Sequence, residues 1–325
     1  MSIQTRPRAL FALLAALVLA LGFAACGGGP ERGEEGGEAR ANLIEENAAN
    51  NDVQITVGSK NFTEQFILGE IYAQALEVAG FDVRKQLDLG SEQVALRALE
   101  DGEIDAYPEY TSTALTSFFD VPAEDVAADA QQAFEESRAD FRERDLTAFP
   151  PTPFSSANAV GLLTERADEL GVSSISDLEG LSEDLTLYGS PECRQRVDCL
   201  VGLQENYGLD FKEFTAVDIG RRYEVLDNGD ADLSILFTTD PQLFVSDNYV
   251  ILEDDRDVLP AGNVLFVARQ QTADEAGRDF GDTVERVQEN LTLDVMQELN
   301  ARVDIDGERP QEAAERYLKE FGYIR

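Results

Sequence analysis

Three cysteines, Cys26, Cys193 and Cys199, and a complete lack of histidine set the limits of the chemistry open to this 325-residue chain. Without imidazole there is no Ser-His-Asp or Cys-His nucleophile, no HExxH zinc site and no histidine proton shuttle. Phosphate cradles of the GxxxxGK[ST] and GxGxxG types are absent from the sequence as well. The 64 acidic residues are too many for one pair to be singled out as a general acid and base, because most carboxylates in such a chain are surface groups. No catalytic residue is expected, and a carboxylate-based enzyme is left without residue-level support. At the N terminus, Arg6 and Arg8 precede an uninterrupted small and apolar run over residues 9 to 22, too short to span a bilayer and suited to a secretory signal. In an exported chain, Cys193 and Cys199, separated by five residues in ECRQRVDC, read as a small-loop disulfide. Two thiols without histidine would make a poor zinc site.

The charge balance excludes a further class. With 26 basic against 64 acidic residues the formal charge is -38, and a nucleic-acid partner needs a basic surface that displaces counterions from phosphate. Two readings of the acidity stand side by side: a hydrated surface for a saline or alkaline habitat, and a negative field that attracts cationic solutes. A hydrophobic fraction of 43% and a charged fraction of 28% are ordinary for a globular chain with real cores.

The end of the apolar run, Phe23-Ala24-Ala25-Cys26, resembles the lipobox of bacterial lipoproteins, with Phe23 where that pattern prefers Leu. This implies cleavage after residue 25, lipidation of Cys26 and attachment to the outer face of the cytoplasmic membrane; an ordinary signal cleaved near Ala25 is the alternative. Residues 26–52 are Gly-rich and acidic without apolar periodicity, as a tether should be.

The remainder must position any site. VQITVGS (53–59) reads as a strand, followed by a helix from Thr63 to Ala79 with Ile67, Ile71, Ala75 and Val78 on one face. FDVRKQLDLG (strand), SEQVALRALEDG (helix) and IDAYPEY (strand) follow, then several helical turns between Ala114 and Asp145. A second block runs ANAVGLL (strand), SISDLEGL (helix), DLTLYGS (strand), a helix after Cys193, FKEFTAVD (strand), RRYEVLDNG (helix) and ADLSILFTTD (strand). YVILEDD and NVLFVAR are expected to lead back toward the first lobe, and Ala273 to Phe321 to be helical. The repeated order predicts parallel sheets in two α/β lobes.

GSKNFTEQFILGEIYAQALEVAGF (58–81) and DLGSEQVALRALEDGEIDAYPEYTSTAL (88–115) resemble the substrate-binding proteins of osmoprotectant ABC importers, the glycine betaine, carnitine and choline binding family with its SKxFTEQ and YPEYTGTAL motifs. Weaker similarity continues through DIGRRYEVLDNGDADLSILFTTD and the C-terminal segment. The resemblance implies an α/β, two-lobe type II periplasmic-binding-protein fold with the ligand cleft between the lobes. Lobe one would comprise residues 53–155 and 263–325, and lobe two residues 156–262. It also implies a small zwitterionic or cationic solute as ligand, ABC permease and ATPase subunits as partners, and no metal, nucleotide or organic cofactor.

A quaternary ammonium cannot donate a hydrogen bond, so aromatic faces must recognise it, whereas a ligand carboxylate needs cationic or hydroxyl donors. Carried over from the family pattern, Lys60 and Thr113 would contact the carboxylate, Tyr110 would be one wall of the cage, and Arg196 in the cysteine-bounded loop would clamp the anion. Each has a bland alternative: a solvated lysine, a helix N-cap for Thr113, a packed core residue for Tyr110, and a local ion pair of Arg196 with Glu192 or Asp198. Phe62 and Tyr107 are expected to pack in the core. The chain departs from the pattern at Asn158 and Phe237, where tyrosine is common, and at Ala261 and Gly262, where many members offer another tyrosine. Asn158 and Phe237 complete the expected ligand-binding set. The thinned cage leaves room for glycine betaine, choline, carnitine, proline betaine or a different zwitterion such as an amino acid.

Overall fold

The computed structural model describes residues 42–325. The signal segment, Cys26 and residues 26–41 of the expected tether lie outside the described residues. The C-terminal end of that tether is part of the first lobe. Ile44 is buried in its core and donates its backbone N–H to Tyr323 O at 2.9 Å, while Asn50 caps Ala79 O at 2.8 Å.

In chain order the elements are β1 (Gln54–Gly58), α1 (Thr63–Val78), β2 (Asp82–Gln86), α2 (Glu92–Glu100), β3 (Ala106–Tyr110), α3 (Ala130–Arg142) and β4 (Leu146–Ala148). β5 (Ser155–Ser156) carries the chain into β6 (Asn158–Leu163), α4 (Thr164–Leu170), β7 (Thr186–Gly189), α5 (Leu200–Tyr207), β8 (Glu213–Ala216), β9 (Leu233–Phe237) and β10 (Tyr249–Ile251). β11 (Gly262–Arg269) returns it to α6 (Gln270–Gln288), α7 (Leu293–Asp304) and α8 (Pro310–Glu320).

Two sheets result, ordered β2-β1-β3-β11-β4 and β10-β6-β9-β7-β8. Both are mixed, which corrects the expectation of parallel sheets. β1 runs parallel to β2 and β3, and β7 to β8 and β9, but β11 is antiparallel to β3 and β4, and β6 to β9 and β10. The reason is topological. Strands entered through a helical crossover lie parallel to their neighbours, whereas β6 and β11 each follow a passage between lobes and enter their sheets from the opposite end. YVILEDD does not lead back to the first lobe; β10 closes the edge of the second sheet against β6.

The passage itself is a pair of adjacent strands. Ser156 is paired with Gly262 and Ser155 with Asn263, so both covalent links between the lobes run side by side. At Gly262 a Cβ would stand 2.3 Å from Ser112 Oγ and 2.6 Å from its backbone nitrogen, so only glycine lets the returning strand pass so close to the segment after β3.

α1 shows why the first lobe is rigid. It lies on the sheet and is covered in turn by α6, α7 and α8, so it is buried on most sides, Glu64, Gln65, Glu70 and Gln74 included. Glu70 accepts from Lys85 at 2.9 Å and from Gln74 at 3.0 Å, whereas the buried Gln65 Nε2 has no hydrogen-bond partner among the described residues. Tyr72 stacks on Phe266 with ring centroids 4.2 Å apart, and Gln288 holds its hydroxyl at 2.9 Å. The second lobe has its own core of Val160, Leu162, Ile175, Leu187, Leu203 and Leu233, each such side chain contributing roughly 1.5–3 kcal/mol on burial. Segments expected as single helices are shorter: SISDLEGL gives only the 3-10 turn Ile175–Leu178, RRYEVLDNG a four-residue helix Glu224–Asp227 after the 3-10 turn Ile219–Arg221, and the C-terminal helical stretch is three helices, the first kinked at Gly277 (φ 68°).

Candidate functional site

The cleft between the lobes is lined from both sides at the ends of the strands, where open α/β sheets place their ligands. β1 delivers Lys60, Asn61 and Phe62, β3 delivers Tyr110, Ser112 and Thr113, and α2 contributes Glu92 at its first residue. From the other lobe come Asn158 at the start of β6, Ser190 after β7, the cysteine loop with Arg196 and Asp198, Arg222, and Phe237 at the end of β9. The cavity is about 90 Å³, the size class of a small-solute site. All six residues expected from the sequence, Lys60, Tyr110, Thr113, Asn158, Arg196 and Phe237, line it.

The loop after β1 is pinned before it reaches the cleft. Ser59 Oγ donates to Lys60 O at 3.0 Å and accepts from Asp88 N at 3.2 Å, while Lys60 N donates to Gln65 Oε1 at 3.2 Å. Lys60 is 4% exposed, which removes the solvated alternative, and its ammonium is paired with Glu109. Glu109 is fully buried and also accepts from Tyr107 Oη at 3.1 Å and from Tyr110 N at 2.8 Å. The lysine expected to meet a ligand carboxylate therefore already holds one from the protein.

Aromatic faces converge from the two lobes. The Phe62 and Tyr110 rings stack with centroids 6.3 Å apart, and Phe62 lies 5.2 Å from Phe237. Lys60 Nζ sits 4.6 Å from the Tyr110 centroid, so a cation already rests near one of these faces. Phe62 meets the expectation of core packing only in part: it packs against the first-lobe core but is half-buried and lines the cleft, whereas Tyr107 is fully buried in the core. Phe62 occupies the N-cap of α1 with extended backbone (φ -146°, ψ 160°) and makes no side-chain cap. A large apolar residue at that junction of strand end and helix start was the available signal.

Tyr110 is anchored from behind. Its hydroxyl donates to Glu64 Oε1 at 2.6 Å, and Asn300 Nδ2 donates to Glu64 Oε2 at 2.9 Å. Burial raises the Glu64 pKa above its ordinary value, although the bonds from Tyr110 and Asn300 pull the other way. Burial, reinforced by the neighbouring Glu64, also pushes Tyr110 well above the usual phenol range, so its hydroxyl remains a donor.

The cysteine loop presents Arg196. Cys193 and Cys199 are bonded with Cα atoms 5.2 Å apart, and Asn158 Nδ2 donates to Asp198 O at 2.9 Å, so Asn158 braces the loop as well as lining the cleft. Arg196 Nε donates to Asp198 Oδ1 at 2.7 Å and Nη2 to the other carboxylate oxygen. The guanidinium then reaches across to the first lobe, 3.6 Å from Glu92 Oε2 and 3.5 Å from Thr113 Oγ1. Burial alone would lower the Arg196 pKa, but the Asp198 carboxylate outweighs it and the group stays charged. Thr113 stands where the short helix Thr111–Thr113 runs into the helical turn Ala114–Phe118, with helical backbone (φ -62°, ψ -43°) and no side-chain cap bond, so it does not act as the expected N-cap.

Arg222 was not singled out in the sequence. Its Nε donates to Asp240 Oδ2 at 2.8 Å and its Nη2 to Oδ1 at 2.5 Å, and its guanidinium lies 5.1 Å from the Phe237 centroid. Asp240 also accepts from Phe237 N at 2.9 Å, fixing the end of β9. Across the cleft, Asn300 Nδ2 donates to Thr239 O at 3.2 Å. Among the described residues no group of His, Cys, Asp and Glu is arranged to hold a metal ion, and no helix is long and apolar enough to cross a membrane.

The chain matches the model of the substrate binding domain of ABC-type glycine betaine transport systems over residues 53–320. It is 32% identical over 277 residues to a glycine-betaine-binding protein of Pseudomonas aeruginosa, covering 82% of this chain and 87% of the relative. It is 25% identical to an ergothioneine transport permease/ergothioneine binding protein of Helicobacter pylori, covering 86% of this chain but 50% of that longer relative. The crystal structure of a glycine betaine/carnitine/choline ABC transporter superposes with a TM-score of 0.64 at 23% identity, covering 82% of this chain and 99% of that one, which shows the shared two-lobe fold.

Proposed function

The chain belongs to the family of substrate-binding domains of ABC-type glycine betaine transport systems, and from that premise we propose that it captures a quaternary-amine osmoprotectant and delivers it to an importer. The family role is extracytoplasmic and non-catalytic: a small solute is bound and handed to permease partners, and ATP hydrolysis belongs to another subunit. The ligands proposed are glycine betaine, choline, carnitine or proline betaine.

The observation that carries this reading is the convergence of Phe62, Tyr110 and Phe237 from two lobes on one small cleft. Each ring face that meets a desolvated ammonium contributes roughly 0.5–2 kcal/mol, and a ligand touching both lobes stabilises their closed arrangement. Lys60, Thr113, Asn158 and Arg196 frame the polar end. Lobe one, residues 53–155 and 263–325, and lobe two, residues 156–262, would close about the β5 and β11 pair. Cys26 is proposed as the lipidated N terminus, tethering the domain to the outer face of the membrane; Cys26→Ser should release the protein from the membrane fraction.

Calorimetric titration with the four amines tests the ligand class. Saturable binding that is lost in Tyr110→Ala and Phe237→Ala supports it, and no heat from any of them with folded protein overturns it. The relative whose name specifies ergothioneine binding motivates the second reading, the same transport role for another zwitterion.

A further inference from the structure

The proposed class contains two kinds of ligand, amines that also carry a carboxylate and amines whose other end is uncharged. The ion pairs of the cleft distinguish them. Every cation among the lining residues is already engaged by a carboxylate of the protein: Lys60 by the fully buried Glu109, Arg196 by both oxygens of Asp198, and Arg222 by both oxygens of Asp240. The two arginine pairs have the forked geometry in which a guanidinium recognises a carboxylate most strongly. A ligand carboxylate would have to compete with a residue already seated on each of them.

Glu92 adds a second, independent observation. Its side chain is 8% exposed, it lines the cleft, and its carboxylate makes no hydrogen bond among the described residues; its ion-pair contact is with Arg196 Nη1 at 3.6 Å. Because Asp198 already holds Arg196 through two hydrogen bonds, Glu92 shares that guanidinium only as a longer second contact, and its negative charge would be balanced more fully by a cation entering the cleft. It comes from the lobe opposite Arg196, so it sits where the cleft closes on a solute. Ser112, Thr113, Asn61 and Ser156 supply hydroxyl and amide groups in the same lining, a set suited to a neutral polar end.

We propose that, within the quaternary-amine reading on which this inference rests, the cleft selects a net cation with a neutral polar end, of the choline type, over carboxylated amines, and that Glu92 sets this preference. A ligand carboxylate meets Glu92 and Asp198 as like charges; a net cation meets them as partners.

The test is titration calorimetry of the purified full-length protein at fixed salt with choline and with glycine betaine, repeated on Glu92→Gln and Glu92→Asp. The wild type should bind choline at least about tenfold more tightly, a size expected for one well-placed charge in a partly desolvated site. Glu92→Gln should weaken choline and leave glycine betaine unchanged or improved, and Glu92→Asp should keep the choline preference. Equal or tighter binding of glycine betaine by the wild type overturns the inference while leaving the quaternary-amine reading intact, as does a Glu92→Gln variant that weakens both ligands equally. Should that variant not fold, the wild-type ranking alone decides. Folded wild type that binds neither amine overturns both the inference and the reading beneath it.

Discussion

Tyr110 and Glu64 are joined by a 2.6 Å hydrogen bond on the side of the ring away from the cleft, so an aromatic wall of the site is fixed by a buried carboxyl on α1. Tyr110→Phe keeps the ring face but removes the donor from Glu64. Stability should fall by about 1–3 kcal/mol, the penalty for leaving a buried polar group unmade, while ligand affinity changes by only a small factor. Tyr110→Ala should cost affinity at least about tenfold. Chemical denaturation paired with calorimetry separates the two; equal affinity losses in both variants would mean that the hydroxyl, not the ring, meets the ligand.

The same carboxyl makes stability depend on pH. Burial raises the Glu64 pKa above 4.5, so in the window above 4.5 the folded state holds a proton that the unfolded chain has released, and stability declines as pH rises through it. The wild type should therefore lose stability relative to Glu64→Gln as pH increases from about 4.5. Asp304, shifted in the same direction by burial, is present in both proteins and cancels. Urea midpoints that run parallel across this range would count against the assignment.

Removing the Cys193–Cys199 bond frees the loop that carries Arg196. For so short a loop the unfolded chain regains entropy worth about 2 kcal/mol, and Arg196 loses its fixed approach to the cleft. The double serine variant should unfold more readily and bind the amine ligand more weakly, measured by thermal melting and calorimetry. Unchanged affinity would show that Asp198 and Asn158 hold the loop without the disulfide.

Gly262→Ala should push Ser112 and the returning strand apart, because the new methyl meets the Ser112 backbone nitrogen at 2.6 Å. Overpacking of this kind costs about 1–3 kcal/mol, and the displaced segment leads to Thr113 in the cleft. Lower melting temperature with weaker binding is expected; a fully native variant would mean that the strand pair yields easily.

With a formal charge of -38, the folded chain repels itself. Salt shortens the screening length from about 10 Å at 0.1 M to about 3 Å at 1 M, so the melting temperature should climb over that range in potassium chloride. A flat or falling curve would show that the acidic groups are spaced widely enough to need no screening.

Much of the fold and part of the site were legible in the sequence because they are local. Lys60, Tyr110 and Thr113, singled out by the motif resemblance, lie at or just after the ends of strands that face the cleft, and the periodicity of α1 shows where one strand stops. The resemblance of the loop ECRQRVDC to the family's pointed to Arg196, and the cysteine spacing to the bond that bounds that loop. What escaped reading depends on distance along the chain. Glu109 and Asp240 differ from surface acids only through partners brought near by folding, and Glu92 only through an arginine on the other lobe. Arg222 sits in a segment whose pattern suggested an ordinary helix. Strand direction was missed at β6 and β11 because apolar alternation carries no sense of direction.

The position of β11 bears on the order in which the molecule can be assembled. This strand lies between β3 and β4 in the first sheet, yet it is synthesised after the whole second lobe. A chain that emerges N terminus first therefore exposes unpaired edges of β3 and β4 until β11 arrives, and such non-local pairing is slow. The second lobe, contiguous in sequence, can fold while the first waits for its missing strand. Refolding should accordingly occur in two stages, with the ligand cleft completed only in the later one.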